Sequence, residues 1–559
     1  MEINELLQDY ENTKIINYKD TKFPFPNVVN YDDLANHEIT GVLKINRIVD
    51  GKLVQTYSTN DNHVAVIAAT RLGKTTSYVI PTILSFAMQK VKRSMIVSDP
   101  KGELYRLTAA KLKALGYDVK LLNFRNFRHS ESWNPLTKIY RKYRKAIEMV
   151  KDVEKLNKES FPMEYEDKMY NTKKELKTAV NRLSKYLLDE VEYDIDSIVA
   201  MFVVKQNQND PYWEECASEV LKAFLWAMLE DSNKEYNAIT EYTYSFSTIL
   251  SIMTTFKSDE SSDFDRGYFT LRRNSKAYDI ASGAIINNAK NTRNCVLSSL
   301  NSKLALFRDV SIRNITNCNS FEIEDILKRP TVIFINYRDE LKIHYNIISL
   351  FVQNAYCAFI DHANENMNGK LDIPFYFILD EFGNFPALRD FETTISACAG
   401  RNIFFILIIQ SYAQLNNVYG KAVAEIIRDN LNMHVFFGSN NPETLKMFSE
   451  ECGLRTRISP ISALNGSSEN IQNYQIETIP AVTKSRLSHF EPGECIITEA
   501  NCGYVLFSRL ERYYLCDEFN KLPLSWEKDY KCNIDYDDKK FNYKPDTPPR
   551  SKYSFDELW

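Results

Sequence analysis

The chain has 559 residues, of which 44% are hydrophobic and 26% charged, and its formal net charge is −5. That length exceeds one simple core and predicts two or three domains, with a composition ordinary for a folded protein. The slightly acidic balance excludes nucleic-acid binding through the field of the whole molecule, so any such contact must come from local patches.

From the N-terminus, "MEINELLQDYENTK" is acidic and has no basic segment followed by an apolar core, so it does not read as a signal peptide. No run of about 20 apolar residues, the length a membrane span needs, occurs anywhere. A soluble protein is expected, or one attached to a membrane only through a partner. Residues 41–67 alternate in polarity around Asp50-Gly51 and predict a hairpin leading to a strand, "HVAVIA". A helix is expected after Lys74 through "TTSYVIPTILSFAMQK", with Pro81 kinking it or lying near its first turn. "RSMIVSDPKGELYRLTAAKLKALGYDVKLLNF" then reads strand, turn, amphipathic helix, Gly116, strand, a βαβ unit that implies a parallel sheet.

From about Lys138 to Lys303 the pattern turns helical: Tyr143, Ile147, Val150 and Val153, then Leu176, Val180, Leu183 and Leu187, recur at helical spacing. "CASEVLKAFLWAML" is apolar nearly all round and predicts a buried helix. Strand-like runs return at "TVIFINY", "FYFILDEF", "IFFILIIQS", "HVFFGS" and "ECIITEANCGYVLFSRLERYY". The first four are separated by helical patterns and fit buried parallel strands. The expected organisation is a hairpin and first part of a nucleotide-binding domain over 1–137, an inserted all-α domain over 138–303, the second part over 304–522, and a solvated tail over 523–559. The ten cysteines are scattered with no C-x-x-C pair, which predicts reduced, cytosolic thiols.

The chemistry concentrates in "AATRLGKTT", residues 68–76. A phosphate cradle needs backbone N–H groups at a helix N-terminus, one ammonium and one hydroxyl for Mg²⁺. Gly73, Lys74 and Thr75 supply these between a strand and a helix, with Thr70, Arg71, Leu72 and Thr76 completing the loop. The pattern G-x-x-x-x-G-K-[ST] wants glycine where this chain has Ala68; one added methyl is tolerable if φ stays negative and costs about 1–2 kcal/mol if the position is left-handed. "FYFILDEFGNF" places Asp380 and Glu381 at the end of an apolar strand. If that strand lies beside the cradle strand, the first carboxylate reaches Mg²⁺ and the second an attacking water. Gln410 ends the strand "NIFFILIIQS", where an amide can sense the γ-phosphate. Ligands sit at the carboxyl ends of parallel strands, so Lys74, Asp380 and Gln410 are expected to converge there.

Eight segments occur in order: "AATRLGKT", "SDPKGELY", "WNPL", "DPYWEECASEVLKAFLWAML", "FILDEFGNF", "ACAGRNIFFILIIQSYAQL", "HVFFGSNNPETLKMFSEECG" and "FEPGECII". Over roughly residues 60–500 the chain resembles the coupling proteins of type IV secretion systems, ATPases that deliver DNA and its bound relaxase to the conjugation channel. The resemblance implies an α/β fold, a RecA-like P-loop NTPase with a mostly parallel twisted sheet flanked by helices and an inserted all-α domain, working as a homo-hexameric ring. It implies ATP and Mg²⁺ as cofactors, with Lys74, Thr75, Asp380, Glu381 and Gln410 in the roles above. Arg401 is then a candidate arginine finger toward the neighbouring subunit, with Arg428 a weaker one. Implied partners are a relaxase with its single-stranded DNA, the channel ATPases and, because the family's usual N-terminal membrane helices are not seen in this sequence, a separate membrane protein as anchor at the inner face of the cell membrane.

Three features keep a bland reading beside a functional one. "KIYRKYRKAIEMVKDVEKLNK" (138–158) is either a contact for phosphates or an acidic relaxase face, or a solvated helix face of Lys-Glu pairs. "YTYSFSTIL" is core rather than a base-stacking platform, and "DPKGE" shapes a turn rather than touching nucleotide. As alternatives to an ATP-driven motor stand a non-hydrolysing receptor on the same fold and a double-stranded DNA translocase outside secretion.

Overall fold

Short runs of β-branched and aromatic residues bounded by turn residues supply the strands. The computed structural model describes residues 14–17, 42–49, 52–59, 61–157, 161–166, 168–202, 212–257, 268–270, 272–460, 474–500 and 504–523. In chain order the strands are β1 (Lys14–Asn17), β2 (Val42–Val49), β3 (Lys52–Thr59), β4 (Val64–Ala68), β5 (Ser94–Ser98), β6 (Asp118–Asn123), β7 (Met163–Tyr165), β8 (Lys168–Tyr170), β9 (Thr331–Asn336), β10 (Phe375–Leu379), β11 (Ile403–Ile409), β12 (Met433–Gly438), β13 (Leu454–Pro460), β14 (Tyr474–Pro480), β15 (Glu494–Glu499) and β16 (Tyr504–Arg509). The chain divides into two compact units. One takes the described residues of 1–125, 323–345 and 355–530, the other 126–322 with 346–354.

The first unit is built on a ten-stranded sheet in the order β1-β16-β15-β12-β4-β11-β10-β5-β9-β6. All pairings from β12 through β6 are parallel, while β15 runs antiparallel to both β12 and β16. β4, β5, β10 and β11 are buried along their whole length, which is why their sequences are unbroken apolar runs instead of alternating ones. Two strands stand in an order the sequence does not suggest. The acidic strand β10 is not the neighbour of β4, because β11 lies between them. The helix Glu103–Ala114 joins β5 to β6, yet β9 pairs between those two strands. As expected, β2 and β3 form an antiparallel hairpin ahead of β4.

Past Lys74 the chain enters a wide π turn, Thr75–Val79, in which the Ile80 N–H donates to the Thr75 carbonyl, and continues as a regular helix over Ile80–Met88. Pro81 lies in the first turn of that regular part, directly after the π turn.

The second unit is mainly helical, with helices Thr137–Lys155, Lys173–Phe202, Tyr212–Asp231, Phe246–Lys257 and Lys290–Leu304 and a small β7–β8 hairpin. Met149, Val153, Leu176 and Val180 form one buried cluster, with Val150, Leu183 and Leu187 packed against it. The helix Tyr212–Asp231 is buried on nearly every side from Ala217 to Leu229, as its composition predicts. Tyr244, Phe246, Ile249 and Leu250 of "YTYSFSTIL" are core residues. Three basic side chains of the first helix are paired within the unit: Arg141 with Glu241 (2.6 Å) and Glu322 (2.8 Å), Lys142 with Glu190 (3.0 Å) and Asp194 (2.8 Å), and Arg144 with Glu148 (2.5 Å). This unit covers 126–322, wider than the helical periodicity at 138–303. Apart from residue 523, the expected tail lies outside the described residues.

Candidate functional site

The loop that leaves β4 is anchored where it starts: the Ala69 N–H donates to the Gly438 carbonyl at the end of β12 (2.9 Å). Thr70 and Arg71 are exposed, and Leu72, Gly73, Thr75 and Thr76 are half-buried. Gly73 has φ +86 and Lys74 φ −46, a left-right alternation that turns successive backbone N–H groups toward one concave anion-binding nest. Only a residue without Cβ takes the first of those conformations at little cost. The nest opens a helix, because the Gly73 carbonyl accepts the Ser77 N–H (2.8 Å) and the Thr76 hydroxyl (3.2 Å). It is therefore placed where the helix dipole also favours an anion.

Ala68 is the fully buried last residue of β4, in extended backbone. An alanine there carries no conformational strain, so the missing first glycine does not distort the cradle. Ala68→Gly is expected to leave nucleotide affinity within about twofold and to lower stability by about 0.5–1 kcal/mol through the added freedom of the unfolded chain. Nucleotide titration and thermal unfolding of the variant measure both.

Lys74 reaches across β11 to the acidic pair. Strands are about 5 Å apart, so the ends of β4 and β10 stand roughly 10 Å apart, a gap that a lysine and a carboxylate side chain span together. Lys74 Nζ lies 2.6 Å from Glu381 Oε1 and 3.0 Å from Asp380 Oδ1. From the strand in between, Gln410 Nε2 donates to Glu381 Oε2 (3.0 Å). Lys74, Asp380, Glu381 and Gln410 thus meet on one rim, at the carboxyl ends of three adjacent parallel strands. The rim is braced by neighbours that sequence reasoning did not single out. The Ser98 hydroxyl donates to the Asp380 carbonyl (2.8 Å), and the Ser439 hydroxyl to the Gln410 carbonyl (3.0 Å). Gln414 accepts the Gln410 N–H (2.9 Å), and its only signal in the sequence is a second glutamine one helical turn on.

Burial disfavours charge on Lys74, but Asp380 and Glu381 outweigh it and hold the ammonium pKa above its ordinary value. Burial pushes the Asp380 carboxyl up against the opposing pull of Lys74. Asp99, at the end of β5, is pushed up to about 6, chiefly by burial. Its carboxylate accepts the Tyr105 N–H (2.8 Å) at the start of the next helix, so "DPKGE" shapes the turn.

The two arginines lie elsewhere. Arg401 precedes β11, its Nε donating to Asn364 Oδ1 (3.0 Å) and its Nη1 to the Ala397 carbonyl (2.8 Å). The seven residues of β11, about 20 Å, separate it from Gln410, so it is not part of this cluster within one chain. Arg428 sits over the Tyr412 ring at 5.5 Å, with Glu425 3.7 Å from its Nη2.

Residues 28–501 match the family described as type IV secretory system conjugative DNA transfer. The chain belongs to that family. Among curated members it is 25% identical to protein VirD4 of Rhizobium radiobacter, over 74% of this chain and 52% of that protein. It is 23% identical to the conjugal transfer protein TraG of Escherichia coli, over 73% of this chain and 58% of that protein. The chain thus spans about half the length of the curated relatives it matches. Unbound TrwBdeltaN70, a bacterial conjugative coupling protein, superimposes with a TM-score of 0.56 at 13% identity, covering 88% of this chain and 95% of that one. TrwB in complex with ADP and Mg²⁺ gives 0.53 at 14% identity, covering 80% and 85%. The fold is the expected RecA-like P-loop fold with a mostly parallel sheet.

Proposed function

We propose that this family member is the ATP-driven coupling protein of a conjugative type IV secretion system, recruiting relaxase-bound single-stranded DNA and energising its delivery to the transfer channel. The observation that carries this reading is the contact of Lys74, Asp380, Glu381 and Gln410 on one rim beside the Gly73–Lys74 nest. ATP and Mg²⁺ suit these residues. The nest and the helix start fit phosphate oxygens, Lys74 supplies the cation, and Thr75 and Asp380 supply oxygen ligands. Among the described residues no group of three or more His, Cys, Asp or Glu could hold a metal by itself. That fits Mg²⁺, which takes one or two protein oxygens and completes its shell with phosphate and water. TrwB has been seen with ADP and Mg²⁺ and with a non-hydrolysable ATP analogue.

When bound, the nucleotide would supply the phosphoryl group that passes to water, with ADP as the leaving group, and the energy. Glu381 orients or deprotonates the attacking water, and Gln410 holds that carboxylate and reads the phosphate end. The active form is a homo-hexamer in which Arg401 serves the neighbouring subunit's nucleotide, a role its distance from its own Gln410 leaves open. Residues 138–303 form the substrate-docking insertion between the two parts of the nucleotide-binding domain, 1–137 and 304–522. No helix among the described residues is long and apolar enough to cross a membrane. The protein works at the inner face of the cell membrane through channel ATPases and a membrane-protein anchor.

Phosphate release by the full chain, with and without single-stranded DNA, tests the reading. Turnover that rises with DNA and steepens with protein concentration is expected. Its absence across conditions that assemble the protein would overturn the motor in favour of a receptor without hydrolysis. Ala68, the departure from the usual first glycine, lends such a receptor no support, because the residue lies in strand backbone.

A further inference from the structure

The carboxylate and the amide of the site come from different strands, and one side chain outside the cluster ties their backbones together. Gln414, on the helix Tyr412–Tyr419, accepts with Oε1 the N–H of Gln410 (2.9 Å), just past the end of β11. The same side chain rests on Gly383, where an added Cβ would stand 2.7 Å from Gln414 Cβ, closer than real side chains pack. Gly383 is the middle residue of the turn Phe382–Asn384 that directly follows Glu381. That turn is closed beneath Glu381, because the Asn384 N–H donates to the Glu381 carbonyl (2.8 Å). Glu381 itself has φ +53, a conformation that a non-glycine residue keeps only where its surroundings over-determine it. The far end of the same helix grips the same segment: Leu388 N–H donates to the Tyr419 hydroxyl (3.2 Å), and the Tyr419 and Phe382 rings stack with centroids 6.0 Å apart.

We infer that Gln414 is a positioning residue that registers the turn behind the acidic pair against the end of β11, so that Glu381 and Gln410 keep their 3.0 Å contact. It acts through the backbone N–H of Gln410 and through its packing on Gly383. Its amide oxygen fixes one strand end, and the amide group with the Cβ behind it fills the space that a side chain at position 383 would need. The kinetic consequence rests on the proposed hydrolysis; the mechanical link does not.

Gln414→Ala, Gly383→Ala and the double variant, made in the full chain, test it by two readouts. Gln414→Ala is expected to lower kcat about tenfold while KM and the affinity for a fluorescent ATP analogue stay within about twofold. Gly383→Ala displaces Gln414 and produces the same defect, so the double variant is no slower than the worse single one. Amide hydrogen exchange in Gln414→Ala speeds up in 380–385 and 407–414 together. Turnover within twofold of wild type, a loss seated in nucleotide affinity, or losses that multiply in the double variant would overturn the assignment. Should the wild type show no turnover, the hydrolysis reading fails by itself. Exchange then decides, and acceleration in neither or only one segment overturns the link.

Discussion

Lys74→Ala is expected to cut nucleotide turnover roughly a thousandfold and, separately, to destabilise the fold in a pH-dependent way. The first effect follows from charge: among the described residues the lysine is the cation in contact with the acidic rim, and a phosphoryl group transferred without it meets two buried carboxylates unscreened. The second follows from the same ion pairs. Side chains of all three residues are about nine-tenths buried, and removing one partner of a buried pair costs about 3–5 kcal/mol because the other charge is left uncompensated. In the variant, the buried Asp380 carboxyl, already pushed up by burial against the pull of Lys74, loses that pull and rises further above its unfolded value. The folded state then binds more protons than the unfolded chain through the acid range, so its stability falls as pH rises. The destabilisation is therefore small near pH 4 and largest at neutral pH. In the wild type the raised Lys74 pKa contributes stability that is fully present at neutral pH and is lost only in the alkaline range. Steady-state ATPase assays and denaturation at two pH values separate the effects. Equal destabilisation at both would show that the carboxylates do not depend on Lys74.

How much of this site was legible in the sequence depends on which residues report their own environment. Lys74 did, because a strand, a glycine and a helix start around G-K-T leave one geometry. Asp380, Glu381 and Gln410 did, because a polar residue ending a fully apolar run marks a strand end. The order of the strands did not. β4, β10 and β11 are short apolar runs without alternation, and nothing in such a run names its neighbour, so the insertion of β11 between the other two is set by long-range pairing. The lower edge of the helical unit was illegible for a similar reason. Residues 126–136 show no helical periodicity, yet Trp133 packs edge-on against Phe351 (5.0 Å), and the Asn134 N–H bonds Asn319 Oδ1 (2.6 Å), contacts between residues about 200 positions apart. Gln414 escaped because its partners are a backbone N–H and a glycine, which carry no side-chain signal.

Glu381→Gln should separate binding from chemistry. The substitution keeps size and backbone preference, so the left-handed conformation at 381 is no more strained than before, and the new amide can still meet Gln410 across the same 3.0 Å contact. Lys74 keeps Asp380 as its counter-charge, so the cradle remains closed on a balanced pair. What disappears is a basic oxygen, and loss of a general base lowers turnover by about 10²–10⁴-fold. Affinity for ATP should hold or increase, and the nucleotide should stay bound unhydrolysed. Both carboxylate oxygens of Glu381 are engaged, Oε1 by Lys74 and Oε2 by Gln410. Two of the roughly four acceptor sites of that carboxylate are thus taken, and Lys74 has reason to leave its own only for a stronger negative charge than the pair it already neutralises. Single-turnover hydrolysis, with nucleotide retention measured by filtration, tests this. Turnover in Glu381→Gln within tenfold of wild type would move the base elsewhere on the rim.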